Sequence, residues 1–239
     1  MNKQEKIISM FNEISPTYDL LNRLLSFGID RRWRQIACRK CFDLYGKDVE
    51  RIVDVACGTG DMIHFWKEAA GKKGRAVGEF VGVDPSVGML AVAKEKIDYA
   101  RFIEGTATEI PLDTGAADFV SISYGIRNVV ERQAAWVEFY RVLKPGGILA
   151  VLEFTKPERE NIFGKFTKWY MQKMIPFIGK IISRHSDAYT YLPDSIKAFE
   201  TTKNLKEEME AAGFKESFIR GYSFEISTLF IMQKPEQQA

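Results

Sequence analysis

Between Arg51 and Phe154, short β-rich runs alternate with stretches of helical character, and few chain architectures tolerate that order. The runs are Arg51–Ala56, Phe80–Asp84, Arg101–Ile103, Asp118–Ser123 and Ile148–Phe154. Helical stretches at roughly 60–70, 87–98 and 131–143 separate most of them. Strands that alternate with helices imply βαβ units and a parallel sheet, because a parallel neighbour is reached only through a crossover. Lys144-Pro-Gly-Gly147 reads as a tight turn that resets the chain for the fifth strand.

The flanks read differently. Ile7, Ile8, Phe11 and Ile14 recur at helical steps, and Pro16 ends or bends that element. Leu20, Leu21, Leu24 and Leu25 mark a second short helix that stops near Gly28. A third is expected from Asp30, as N-cap, to about Tyr45, with Gly46 as its stop. After Phe154 the alternation breaks. Residues 160–183 read as a basic, aromatic helix, and Ser195–Ala212 holds further helix ended by Gly213. Phe214–Tyr222 and Glu225–Met232 then read as an antiparallel pair that closes the sheet edge. At 239 residues this suits one domain: a helical cap (1–48), a ligand-binding core (49–154), a helical lid (155–200), and a C-terminal helix with the strand pair (201–234).

Strand, then Ala56-Cys-Gly-Thr-Gly-Asp61, then helix is the central chemical signal. Gly58 and Gly60 let the backbone turn sharply and approach a ligand, at the strand end where open α/β sheets bind one. Asp84 ends the second strand and can accept hydrogen bonds from the two hydroxyls of a ribose. A nicotinamide dinucleotide site would want a third glycine where Ile63 stands. Asp54 and Asp61 would repel a pyrophosphate but suit a ligand with an amino group, so the loop favours S-adenosylmethionine. Without Asp84 the two glycines would be compatible with a plain strand–helix turn.

These residues resemble class I methyltransferases, and other segments resemble the ubiquinone/menaquinone biosynthesis C-methyltransferase family. The similar stretches are Met10–Asn22, Leu25–Trp33, Ser123-Tyr-Gly-Ile-Arg-Asn-Val129, Tyr140–Gly147, Leu152–Pro157 and Tyr189–Ile196, within residues about 8 to 222. The resemblance implies a Rossmann-like fold, a mostly parallel seven-stranded sheet with an antiparallel C-terminal strand. It places cofactor contacts on Thr59, Asp84, Thr106, Ala107 and Ser123, beside Asp54, Gly58 and Gly60 of the loop. Thr106 stands where the family commonly has Asn or Asp. The last strand reads Thr228-Leu-Phe-Ile-Met232 where many members end in His-Arg-Gly.

The implied reaction is carbon methylation of a prenylated hydroquinone, demethylmenaquinol first and a demethylated benzoquinol second. A ring carbon is a poor nucleophile until the neighbouring phenol, of ordinary pKa roughly 10, ionises. Arg127, just past the fourth strand, is the candidate to favour the phenolate. Asn128 would fix the substrate hydroxyl and Tyr18 would close over the site. Each has a plainer alternative: an ion-pair partner for Arg127, a turn residue for Asn128, a packing residue for Tyr18.

Cys38 and Cys41 have CxxC spacing but no second Cys/His pair, so no metal is expected. No carboxylate cluster suggests magnesium. His64 reads as a surface or packing residue and His185 as a candidate proton acceptor. The three cysteines fit a reducing cytosol, and neither a secretory leader nor a spanning segment is expected. A net charge of +2 makes no case for nucleic acid, which weighs against an RNA methyltransferase. Methylation of another small phenol or lipid on the same fold is the nearer alternative, and a non-catalytic binder of the methyl donor the more distant one. Expected partners are the prenylated quinol, a peripheral membrane contact through residues 160–183 at the inner face, and a second copy of the chain. In residues 163–178, lysine interleaves with large apolar groups, which suits either a membrane contact or a face that covers the site.

Overall fold

The computed structural model describes residues 2–156, 195–223 and 226–236. Helix α1 (Lys3–Ile14) begins on a capping box: the Asn2 side chain accepts the Glu5 N–H at 2.9 Å, and Glu5 accepts the Asn2 N–H at 2.8 Å. Pro16 lies in a 3-10 turn, Ser15–Thr17, that bends the chain into α2 (Tyr18–Ser26). Helix α3 (Ile29–Tyr45) corrects one expectation. Gly28 takes the N-cap, while Asp30 is buried and pairs with Arg34 one turn on. A guanidinium is a stronger partner for a carboxylate than a backbone N–H, so the acid serves the pair rather than the cap.

The alternation then unfolds as expected: β1 (Val49–Val55), α4 (Asp61–Lys73), β2 (Val77–Asp84), α5 (Val87–Lys96), β3 (Arg101–Glu104), β4 (Ala117–Ser123), α6 (Arg132–Val142) and β5 (Leu143–Phe154). Helix α7 (Thr202–Ala211) and strands β6 (Lys215–Tyr222) and β7 (Ser227–Gln233) complete the described elements. They form one seven-stranded sheet in the order β3-β2-β1-β4-β5-β7-β6. Strands β1 to β5 pair in parallel, and β7 is antiparallel to both of its neighbours.

Lys144-Pro-Gly-Gly147 is not a turn ahead of β5 but an irregularity inside it. Leu143 pairs with Ala117 and Ile148 with Phe119, so Lys144–Gly147 loops out opposite Asp118. Lys144 pairs with Asp118, and the Gly146 N–H bonds to the Lys234 carbonyl at 2.9 Å, so the excursion is held on both sides. The divergent Thr228–Met232 segment also has a structural reason. It is a fully buried strand, with Leu229 and Ile231 in one core and Phe230 and Met232 in the other.

Those two cores cover the two sheet faces. Trp33, Phe42, Ile63 and Trp66 pack α3 and α4 on one face; Trp136, Phe139, Leu205 and Met209 pack α6 and α7 on the other. Cys38 and Cys41 are buried in the first core, where desolvation pushes both thiols up. No helix joins β3 to β4. That connection is pinned instead by Arg141, which donates to the carbonyls of Leu112 at 2.9 Å and Ile110 at 3.1 Å, and by Glu138, which accepts the Ile110 N–H at 2.7 Å. Thr106 and Ala107 are thereby held beside the end of β2. The expected lid helix, His185 and the stretch up to 194 lie outside the described residues.

Candidate active site

The carboxyl ends of β1, β2 and β4 converge on one cavity of about 400 Å³, within the roughly 300–1,000 Å³ usual for small-molecule sites. Two adjacent strand ends turn into it through left-handed residues, Ala56 (φ 50°) and Tyr124 (φ 57°). Such backbone costs about 1–3 kcal/mol per residue and persists only where the surroundings enforce it. Here the enforcement is mutual crowding: a Cβ on Gly125 would lie 2.7 Å from the Ala56 Cβ. Gly60 (φ 86°) closes the turn, and its missing Cβ leaves room for Ile97, which would stand 2.7 Å away.

Gly58, Asp84, Thr106, Ala107 and Ser123 line this cavity together with Tyr18 and Asn128. Of the residues singled out from sequence, Asp54, Thr59, Gly60 and Arg127 are not on its wall. Asp84 is held by the Gly58 and Ser86 N–H groups, each at 2.8 Å. Burial nonetheless raises its pKa, with those two hydrogen bonds opposing. Each carboxylate oxygen keeps a lone pair for a further donor, as a ribose hydroxyl requires.

The acidity of the loop is already spoken for, which corrects the charge reasoning above. Asp61 pairs with Arg23 and Lys96, each at 3.2 Å. Against the upward pull of burial, Lys96, Arg34 and Arg23 hold its pKa below the usual carboxylate range. Asp54 is buried beneath the loop and accepts from Ser121 Oγ at 2.6 Å, which in turn accepts from Trp66 Nε1. Desolvation pushes Asp54 up to about 7, with Ser121 and Arg34 opposing. Thr59 donates to Asp19 at 2.5 Å, and Lys96 holds that same carboxylate, so the loop's outer edge is stitched to α2. Ile63, in place of a third glycine, is a fully buried anchor of α4.

The N-terminal helix is pinned across the cavity. At one rim Asn12 accepts the Ser86 hydroxyl at 2.8 Å and the Gly88 N–H at 2.9 Å. At the other, Gln4 accepts the Val130 N–H at 3.1 Å. Ile8 and Phe11 line the wall between them. Tyr18 enters from α2; burial raises its phenol, and a hydrogen bond with Asn22 and the charges of Arg127 and Arg34 oppose that rise.

Arg127 is in a buried ion pair. Its Nη1 donates to Glu153 at 2.9 Å and also to the Tyr124 carbonyl. Its Nε is buried and has no acceptor among the described residues. Glu153 is completely buried, and desolvation raises its pKa against the pull of Arg127. Buried Arg34 donates to Ser123 Oγ at 3.1 Å, pairs with Asp30, and sits 5.1 Å from the Tyr124 ring centre.

Arg34, Glu153 and Tyr124 escaped the sequence reading. The Asp30/Arg34 spacing of four on a helix is one available signal. A lone glutamate in the apolar run Ile148–Phe154 is another, since unpaired carboxylates are seldom buried.

The arrangement suits a nucleoside. An acceptor carboxylate faces a glycine-floored cavity, and the basic groups beside the loop are consumed in ion pairs, which leaves none of them among the described residues to hold a pyrophosphate.

The ubiE/COQ5 methyltransferase family model matches residues 1–234. A Campylobacter jejuni protein named ubiquinone/menaquinone biosynthesis C-methyltransferase UbiE is 50% identical, over 98% of this chain and 100% of its own length. A Thermus thermophilus demethylmenaquinone methyltransferase is 46% identical over 86% of this chain and 91% of its own. Among solved structures, a SAM-dependent methyltransferase from Thermotoga maritima superposes with a TM-score of 0.58 at 20% identity, covering 95% of this chain and 99% of its own.

Proposed function

Because the chain belongs to the ubiE/COQ5 methyltransferase family, it is an S-adenosylmethionine-dependent C-methyltransferase of quinone biosynthesis, and we propose that its acceptor is a prenylated, demethylated naphthoquinol. The names of the Thermus relative and of a 36% identical Chlorobaculum tepidum demethylmenaquinone methyltransferase support the naphthoquinol. The corresponding benzoquinol is the second acceptor. One observation carries the reading: Tyr18 and Asn128, the acceptor-side candidates, share a single cavity with Gly58, Asp84 and Ser123, the donor-side ones.

The bound donor supplies a methyl group on a sulfonium. Asp84 takes the ribose hydroxyls, Gly58 admits the backbone edge, and Thr106 and Ala107 flank the adenine. Asp54, Thr59 and Gly60 act one layer behind, shaping the loop through Ser121, Asp19 and the turn itself. Ser123, fixed by Arg34, holds the floor between donor and acceptor.

On the acceptor side, Asn128 and Tyr18 hold the quinol hydroxyl and close over the ring. Arg127 acts from behind the cavity wall: Glu153 compensates its guanidinium, and its charge strengthens the Tyr18 phenol, which does reach the cavity, as a donor. Hydrogen bonds from Asn128 and Tyr18 to the ring oxygen favour the phenolate, and the negative charge then reaches the neighbouring ring carbon. That carbon would take the methyl as the sulfur–methyl bond breaks, the donor would leave as a neutral thioether, and the C–H proton would pass to the neighbouring ring oxygen to restore the aromatic phenol. Alignment inside a cavity that excludes water supplies much of the acceleration. Contact of the lysine-rich, aromatic segment 160–183 with lipid at the cytoplasmic face belongs to the same proposal.

The test is a competition: purified protein, labelled methyl donor, and reduced naphthoquinol against benzoquinol, read by mass spectrometry. A higher kcat/KM on the naphthoquinol is expected. Methyl gain on neither ring overturns the reading.

A further inference from the structure

The sheet order fixes which end of the cavity holds the base. Asp84 ends β2, and the neighbouring edge strand β3 lies level with it, with Glu104 as the register partner of Asp84. Gly58, Ser123 and the acceptor candidate Asn128 follow from β1 and β4, on the other side of β2. A nucleoside whose ribose meets Asp84 and whose methyl group faces β4 therefore has its base on the β3 side. The wall there offers Ile8, Pro85, Met89 and Ala107, which suit the flat faces of a purine. Beyond Asp84, the polar side chains on that stretch of wall, among the described residues, are Ser86, Thr106 and Thr108. The Ser86 hydroxyl is already committed: it donates to Asn12 at 2.8 Å and accepts the Met89 N–H at 3.2 Å. The edge of the base is left to the two threonines.

Those threonines sit on a fixed turn. Thr106 and Glu109 exchange both backbone hydrogen bonds, each at 3.3 Å. The Gly105 N–H bonds to the Asp84 carbonyl at 3.3 Å, and the Ile110 N–H to Glu138 at 2.7 Å, so the turn is fastened to β2 and to α6. The backbone of Thr106 is used within the turn, and what it offers a ligand is its hydroxyl. The Oγ1 atoms of Thr106 and Thr108 stand 3.1 Å apart and share one hydrogen bond. One O–H is used in that bond, the second is free to rotate, and both oxygens keep lone pairs. Glu104 and Glu109 line the neighbouring open groove rather than this cavity. The edge is therefore uncharged and can either donate or accept, whereas a carboxylate in its place could only accept.

We propose that the Thr106–Thr108 hydroxyl pair meets the 6-position of the donor's purine and adds affinity without telling a 6-amino from a 6-oxo group. A 6-amino N–H is accepted by a threonine oxygen; a 6-oxo group accepts the free O–H. Thr108 thereby becomes a binding residue, and S-nucleosyl compounds with a 6-oxopurine become a further class of ligand. The proposal rests on the placement of the donor's ribose at Asp84.

The test is calorimetric binding of S-adenosyl-L-homocysteine and S-inosyl-L-homocysteine to the full chain. Thr106→Val with Thr108→Val keeps the β-branched shape and removes both hydroxyls. It weakens both ligands by about fivefold and leaves the ratio of their Kd values within about twofold of the wild type. Thr106→Asp installs an acceptor-only group, so the 6-oxo ligand faces a carboxylate and the inosyl-to-adenosyl Kd ratio rises about tenfold or more. A double valine variant that melts early leaves the decision to that Thr106→Asp ratio, which compares two ligands on one protein. The proposal is overturned by a double variant that loses one ligand and keeps the other, by full affinity for both in that variant, or by an unchanged ratio in Thr106→Asp. If the wild type binds both ligands, Asp84→Asn loses both and the ratio ignores Thr106→Asp, the donor site stands and the purine edge alone falls. If the wild type binds neither, the donor placement falls with it.

Discussion

Glu153→Gln is the most searching perturbation of the buried pair beneath the acceptor side. Glu153 has no solvent exposure, and the Arg127 side chain is only 6% exposed. The carboxylate accepts from Arg127 Nη1 at 2.9 Å, the Arg127 N–H at 3.2 Å and the Phe154 N–H at 2.7 Å. Glutamine keeps the volume but strands a guanidinium away from water. Removing one partner of such a pair costs about 3–5 kcal/mol. At about 2–4 °C per kcal/mol for a chain of this size, the expected fall in Tm is roughly 6–20 °C. Urea and thermal unfolding of Glu153→Gln, Arg127→Met and an Arg127→Met/Glu153→Leu double variant form the assay. The double variant is expected to lose less than either single one, because two apolar groups leave no charge unpaired. A loss below about 1 kcal/mol in Glu153→Gln would show that the pair behaves like a surface contact and refute the burial reasoning.

Asp54 gives a pH signature. Its folded value is about 7 against an unfolded value of roughly 3.9, so its contribution is present below about pH 4 and lost as pH rises through about 7. Three units correspond to roughly 4 kcal/mol, so the stability of the wild type minus that of Asp54→Asn should fall between pH 5 and pH 8. A flat difference would contradict the assignment. Gly60→Ala places a Cβ against Ile97 at a left-handed position and should destabilise by about 1–2 kcal/mol in urea unfolding, with Ile97→Val returning part of it; a neutral effect would mean that the turn is not fixed. Arg34→Lys keeps the charge but loses the fork that holds both Ser123 and Asp30, so KM for the methyl donor should rise about tenfold with kcat changing less. An unchanged KM would remove Arg34 from the donor site.

The elements that repeat a period were the legible ones. The strands and the cofactor turn announced themselves; Gly58 and Asp84 were legible because strand ends are where such sheets bind ligands, and Ser123 was placed by the family resemblance. What hid was decided by partners distant in sequence. Asp30 reads locally as a cap, and only the buried Arg34 shows why it is not. Lys144–Gly147 reads as a turn, yet the register across Asp118 keeps the strand running through it. Arg127 reads as a cation for the acceptor with an ion pair as the plainer alternative, and the partner, Glu153, lies 26 residues on. The acids of the loop looked available to a ligand because Arg23, Arg34 and Lys96 arrive from three other helices.

The most direct measurement is a single turnover with an isotopically labelled methyl donor and a reduced, demethylated naphthoquinol, followed by NMR of the product. The mechanism predicts the label on the ring carbon beside a hydroxyl, and loss of donor binding by calorimetry in Asp84→Asn. Label on oxygen, or no transfer with the donor bound, would contradict it.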